Sequence, residues 1–303
     1  MNEPRRIMPL PLGGGELGLP YSRGLMARSL MAAGVAGHRA YALASRVGDE
    51  LVERGRGEIE IELERLEELA VEVLGEEEGR ESIKRLRRYQ GLRELDLPIM
   101  VFIGGATGTG KSTVATELAY RFGITRVTST DFVRQTMRAF FSRAFMPSIH
   151  QSSFEAGDVY PDADDPLEFG FREQARNVLV GVRASPERAL EEGWSLVLEG
   201  VHLVPGMVEL PRPDLAVSVF VVLSIEDAED HLRHFHFRDE DSERPESRYL
   251  ERFEDIRRLQ ELIVARARRA GVPVIENENA DKAARTVADL VLDAAEQSRT
   301  VTR

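Results

Sequence analysis

Ile99-Met-Val-Phe-Ile-Gly-Gly-Ala-Thr-Gly-Thr-Gly-Lys-Ser-Thr113 is the stretch on which the fold turns. Its first five residues are apolar, too few for a helix and rich in β-branched and aromatic side chains, which predicts a buried parallel strand. Glycines then crowd a turn, and Val114 to Phe122 carries apolar residues at helical spacing up to Gly123, a C-terminal stop. Strand, glycine loop and helix in that order make Gly105-x4-Gly110-Lys111-Ser112 a phosphate-binding loop. Its glycines let successive N–H groups face one anion, and the helix N-terminus adds partial positive charge. The expected cradle comprises Gly105, Ala106, Thr107, Gly108, Thr109, Gly110, Lys111, Ser112 and Thr113. Lys111 would reach the β- and γ-phosphates of ATP, and the Ser112 hydroxyl would sit on Mg²⁺.

The bulk properties narrow the field. With 303 residues the chain can bury one large domain and a smaller one. No apolar run approaches the ~18 residues that a membrane span needs, and no apolar core follows the N-terminal arginines, so neither a membrane anchor nor a secretory signal is expected. Zero cysteines exclude disulfides and thiolate sites and fit a cytoplasmic protein. A net charge of −12 argues against a nucleic-acid partner but permits a local basic pocket for a small phosphorylated anion. Only Lys84, Lys111 and Lys282 among the 40 basic residues are lysine. Arginine forks would therefore hold most substrate phosphates. A homo-oligomer is compatible with this composition, which does not decide it.

Beyond the loop, Thr125 to Thr130 predicts a second strand, followed by Asp131 at the head of a helix. A carboxylate there suits either proton acceptance from a substrate hydroxyl or a metal-bound water, with helix N-capping as the alternative. Arg134 and Arg138 lie four residues apart and share a face that could clamp an anion. Met146 to Leu167 lacks periodicity and is read as a functional loop, with helical patterning from Phe171 to Leu190. Trp194 to Leu198 is a third strand ending in Glu199, the place for a carboxylate that holds Mg²⁺ through water. His202 just beyond is either a structural residue or a substrate contact. Leu215 to Ser224 and Val272 to Ile275 complete five strands. Between them, His231, His234 and His236 have poor zinc spacing. The charged stretch around them reads better as a lid whose Arg238, Arg244 and Arg248 fold over the transferring phosphate.

The N-terminal third is helical from Tyr21, interrupted near Gly34 to Gly37, with an acidic amphipathic segment from Glu58 to Leu74 and a short basic helix from Ser82 to Tyr89. Leu19 to Gly34 with Ala40 to Ala44 resembles the ATP-cone, a small helical regulatory domain. The division expected is residues 1–95, helical and ATP-cone-like, and residues 96–303, a doubly covered α/β domain with a five-stranded parallel sheet of the P-loop kinase type. Absence of an Asn-Lys-x-Asp motif disfavours a GTPase.

A second resemblance spans nearly the whole chain. Ile103 to Thr113, Ser129-Thr-Asp131 with Arg134 and Met137-Arg138, Pro147 to Phe154, Leu198 to Gly206, His234-Phe-His-Phe-Arg238 and Arg248 with Ile256 to Gln260 resemble the 2-phosphoglycerate kinase family. The resemblance implies ATP-dependent phosphorylation of 2-phosphoglycerate to 2,3-bisphosphoglycerate. Lys111, Asp131, Glu199 and Arg238 would be catalytic, and Asp131, Arg134, Arg138, His202, Arg244 and Arg248 would meet the acceptor. A phosphorylated polyol such as an inositol phosphate is an alternative acceptor, and a nucleotide-operated switch is the alternative from another class.

Overall fold

The structure, a computed structural model, describes residues 7–9, 21–54, 60–235 and 246–301. It divides into two compact units, Met1–Asp96 with Tyr120–Gly123, and Leu97–Ala119 with Ile124–Arg303. The lid positions Arg238 and Arg244 lie outside the described residues. No described helix is long and apolar enough to cross a membrane.

In the first unit, β1 (Ile7–Pro9) pairs antiparallel with β2 (Glu60–Glu62), and α1 (Arg23–Ala32), α2 (Gly37–Arg54), α3 (Leu63–Leu74) and α4 (Glu76–Arg93) enclose the core. Leu30, Leu43, Val47, Ile61, Leu66, Leu69, Ile83 and Leu86 fill it. The segment expected to be helical from Glu58 instead enters as a strand: Ile61 is buried while its neighbours are glutamates, a two-residue alternation that suits a half-buried ribbon. Glu50, buried, takes two hydrogen bonds of 2.9 Å from Arg65, which ties α2 to α3.

The second unit carries β3 (Ile99–Gly104), β4 (Val127–Ser129), β5 (Leu196–Glu199), β6 (Val217–Ser224) and β7 (Val274–Glu276). They form one parallel sheet in the order β4-β5-β3-β6-β7. β3 lies at the centre with all six residues buried, which is why it reads as an unbroken apolar run. The side chains alternate. Met100, Phe102, Leu196, Leu198 and Phe220 face α7 (Pro166–Val182) and α8 (Ala184–Glu191). Val101, Ile103, Val197 and Val221 point to the other face, where α12 (Ala280–Val301) packs along β6. α11 (Phe253–Ala270) buries Ile256, Leu259, Ile263 and Ala267 against Val222 and the ring of Phe235.

In the second unit, two elements differ from the sequence reading. Helical patterning expected as one run from Phe171 is split at Arg183 into α7 and α8, and the long segment after Met146 holds two 3₁₀ turns, Pro147–His150 and Ser153–Val159. The second turn carries a capping box between Ser152 and Glu155.

The chain enters and leaves β3 between two faces that both depend on its side chains. Phe102 is 1% exposed and packs edge-on to Phe220, 6.4 Å between centroids. Phe102→Ala is expected to cost about 3–5 kcal/mol in urea unfolding, with the slope unchanged.

Candidate active site

The loop after β3 runs straight into α5 (Lys111–Phe122), so the first turn of that helix opens onto the strand ends. The Lys111 ammonium, almost buried, donates to the Ala106 carbonyl at 2.6 Å, and the Thr109 hydroxyl donates to the same oxygen at 3.0 Å. Both bonds close the loop on itself and aim a cation at its centre.

Glu199 ends β5 beside the loop, and β3 and β5 run in register with Ile103 opposite Glu199. The Ser112 hydroxyl donates to its Oε1 at 3.1 Å. A hydroxyl and a carboxylate facing each other across α5 and β5 form an oxygen-only donor pair. Such a pair suits a hard cation that keeps most of its waters and takes phosphate oxygens for the rest. Among the described residues no three His, Cys, Asp or Glu side chains stand together as a metal cage.

Asp131 lies in the first turn of α6 (Thr130–Phe140). Helix capping, the alternative role for Asp131, falls to Ser129, whose hydroxyl accepts the Asp131 N–H at 3.2 Å. The Asp131 carboxylate is therefore directed elsewhere. It accepts from Arg134 Nε at 3.2 Å and lines a cleft of about 620 Å³ together with Lys111, Ser112, Glu199 and the loop backbone. His234, Asn277, Glu278 and Ala280 form another part of its wall.

The remaining expected contacts fall into two groups. Arg134 is buried, and its Nη1 donates to the carbonyls of Ile149 and Gln151 at 3.0 Å each. It thus braces the 147–154 segment against Asp131. His202 is wholly buried. Its Nδ1 meets Thr130 Oγ1 at 2.8 Å and its Nε2 meets Gln174 Oε1 at 3.1 Å. Gln174 donates its Nε2 to the carbonyls of Ser148 at 2.6 Å and Gln151 at 3.0 Å, so its oxygen must accept. His202 then donates from Nε2 and accepts the Thr130 hydroxyl at Nδ1. This position differs from the substrate contact expected of His202: the ring has no face on the cleft and acts by positioning its neighbours. Gly200 lets Thr130 come this close, since at its φ of 148° a Cβ would sit 1.9 Å from Thr130 Oγ1.

Arg138 is on the exposed face of α6 and donates to Gln135 at 3.0 Å. Arg248, in α10 (Glu246–Glu251), holds Glu155 with both Nε and Nη2. Arg252 pairs with Asp158 at 2.7 Å, and Arg258 with Asp165. The side chains of this arginine row are thus paired with the acidic segment that follows the first 3₁₀ turn. Gln174, Thr130 and Asn277 were missed from the sequence, because no local motif marks a glutamine on one helix or an asparagine after the last strand.

Burial pushes the His202 imidazole down to about 4, the nearby Asp131 only partly opposing this. Since the unfolded ring titrates near 6.5, the unfolded chain takes up its proton first. The stability that neutral His202 contributes is complete above pH 6.5 and is lost as pH falls toward 4. Thermal unfolding midpoints measured across that window should drop with pH, and His202→Gln should flatten the slope while lowering the midpoint at neutral pH.

No family model matches the chain. Curated relatives match it over nearly its whole length. A 2-phosphoglycerate kinase of Thermococcus kodakarensis is 39% identical over 274 residues, covering 90% of this chain and 92% of that protein. Those of Pyrococcus furiosus and Methanothermobacter thermautotrophicus are 34% and 39% identical, covering 92% and 85% of this chain and 91% and 85% of theirs. A solved gluconokinase from Sinorhizobium meliloti superposes with a TM-score of 0.39 at 15% identity, over 68% of this chain and 99% of that one; the strand order and the loop carry the fold assignment without it. A phosphate loop at the centre of a parallel sheet and identity of this order over 85–92% of the chain together make it a phosphotransferase that belongs to the 2-phosphoglycerate kinase family.

Proposed function

We propose that the chain transfers the γ-phosphoryl group of ATP to the free hydroxyl of 2-phosphoglycerate, giving ADP and 2,3-bisphosphoglycerate, with Mg²⁺ in the site. The observation that carries this reading is the meeting of Lys111, Ser112, Asp131 and Glu199 in one cleft, in a chain whose relatives bear that enzyme's name. A bond forms between the acceptor hydroxyl oxygen and the γ-phosphorus. The bond from that phosphorus to the β,γ-bridging oxygen breaks, and its electron pair leaves with ADP. The hydroxyl proton passes to the Asp131 carboxylate.

Each residue has a physical task. The loop amides and Lys111 hold the triphosphate tail and neutralise the charge that builds on the bridging oxygen. Ser112 and Glu199 would hold the metal ion, the carboxylate through water; once bound, Mg²⁺ neutralises phosphate charge and aligns the tail. Asp131 orients the hydroxyl for in-line attack and takes its proton. Arg134 fixes Asp131 and the 147–154 segment in one piece, so the acceptor meets a preformed wall. Arg138, Arg238, Arg244 and Arg248 remain proposed partners for the acceptor's anionic groups, Arg248 by exchanging its ion pair with Glu155. The N-terminal residues 1–95 are read as an ATP-cone-like regulatory domain beside a kinase domain over 96–303, and the enzyme as cytoplasmic.

The test is ADP release with 2-phosphoglycerate as acceptor, read together with product mass. Lys111→Ala is expected to abolish turnover. Asp131→Asn is expected to lower kcat by roughly 10²- to 10⁴-fold with the KM for ATP little changed. Near-normal turnover by Asp131→Asn contradicts its role as base, and ADP release indifferent to 2-phosphoglycerate contradicts the acceptor.

A further inference from the structure

His231 and His234, poorly spaced for a metal, both turn their rings to the phosphate loop. α9 (Ala228–Arg233) and the turn after it lie against the phosphate loop. The Thr107 carbonyl lies 2.8 Å from His231 Nε2, and the Gly108 carbonyl 2.8 Å from His234 Nδ1. Asn277 continues the series, donating Nδ2 to the Thr109 carbonyl at 2.9 Å. Three consecutive loop carbonyls are thus held by side chains from outside the loop. A carbonyl only accepts, so each ring nitrogen facing one carries its proton.

In a trans peptide the N–H points opposite to the carbonyl of the same plane. Holding the oxygens of Thr107, Gly108 and Thr109 therefore also fixes the directions of the N–H groups of Gly108, Thr109 and Gly110. Those amides are what an anion at the loop would meet.

The support under the loop is rigid. A Cβ on Gly108, at φ 86°, would come within 2.4 Å of Phe235 Cζ and 3.0 Å of His231 Nε2, so the rings sit directly against the backbone. Phe235 stacks on Tyr249 at 5.0 Å, and His231 meets Phe253 edge-on at 5.5 Å. Arg257 Nη1 reaches His231 Nδ1 at 3.4 Å while bonding the Ile225 carbonyl at 2.6 Å. A guanidinium cannot accept, so Nδ1 is the acceptor and Nε2 the donor. Burial keeps the ring neutral, pushing it down to about 4, and the tautomer is thereby set.

We infer that His231 and His234 are positioning residues of the nucleotide cradle, which by donating to the Thr107 and Gly108 carbonyls hold the following amides in anion-binding orientation and so set nucleotide affinity. The inference rests on reading the loop as a nucleotide site and is independent of the acceptor.

The amide of glutamine can place a donor near an imidazole Nε2, and that of asparagine near Nδ1. These substitutions separate the hydrogen bond from the ring. ADP binding in excess Mg²⁺, measured by calorimetry on the full chain, should weaken about three- to tenfold in His234→Ala and His231→Leu. Binding should recover to within about twofold of wild type in His234→Asn and His231→Gln. The KM for the acceptor should not follow this pattern. His234 is exposed, so His234→Ala should melt close to wild type and keeps the test alive if the buried His231 variants fail to fold. Binding by His234→Ala equal to wild type, or by His234→Asn as weak as by His234→Ala, overturns the inference. A wild-type chain that takes up no ADP overturns the nucleotide reading along with it.

Discussion

An amide cradle can be ready for an anion only if the carbonyls of the same peptides have partners of their own. Water would satisfy them, but at the expense of order, and the loop would then have to be organised by each arriving nucleotide. In this chain the partners are built in: Lys111 and Thr109 at Ala106, His231 at Thr107, His234 at Gly108, Asn277 at Thr109. Apart from Thr109 itself, these donors come from α5, α9, the turn after α9 and the residue after β7, so the six-residue loop 105–110 draws on strands at the centre and the edge of the sheet. The sheet order β4-β5-β3-β6-β7 makes this arrangement feasible, because β3 lies between β5, which ends in Glu199, and β6, which leads into the histidine pair.

The wall beside Asp131 follows a parallel logic with buried groups. Gln174 and Arg134 divide the carbonyls of Ser148, Ile149 and Gln151 between them, and His202 joins Gln174 to Thr130. Each member has a partner in this network, which is what makes a polar cluster tolerable in an apolar interior. The consequence is that Asp131, one residue after Thr130, is fixed by the same framework that shapes the 147–154 segment. The role of base proposed for Asp131 requires this kind of stiffness, since a base displaced by about 1 Å loses much of its effect.

The sequence made the loop and its flanking strand legible because all of their information is local: glycine spacing, an apolar run, a helix start. Asp131 and Glu199 were legible for a related reason, since the ends of buried strands are recognisable and parallel sheets gather those ends on one edge. The partners across the fold were not. His202 and Gln174 are 28 residues apart, and the loop residue Gly108 is 126 residues from His234; no pattern short enough to notice connects them. Arginine pairing was out of reach for the same reason. Arg248 reads as a lid arginine, but the acid that engages it, Glu155, lies more than 90 residues earlier. The strand at Glu60 to Glu62 escaped because a single buried isoleucine between glutamates fits a helical face as well as a ribbon until β1 is placed beside it.

The central claim is that the backbone after Ile103 binds the polyphosphate of a nucleotide, with Ser112, Glu199 and Asp131 gathered around it. A crystal structure of the chain with ADP and Mg²⁺ tests it most directly. The account requires the β-phosphate oxygens within hydrogen-bond distance of the Gly108 to Ser112 amides and of Lys111 Nζ, with the metal between Ser112 and the water shell of Glu199. Nucleotide bound elsewhere, or a loop whose Thr107 and Gly108 carbonyls turn inward toward the phosphates, would contradict it.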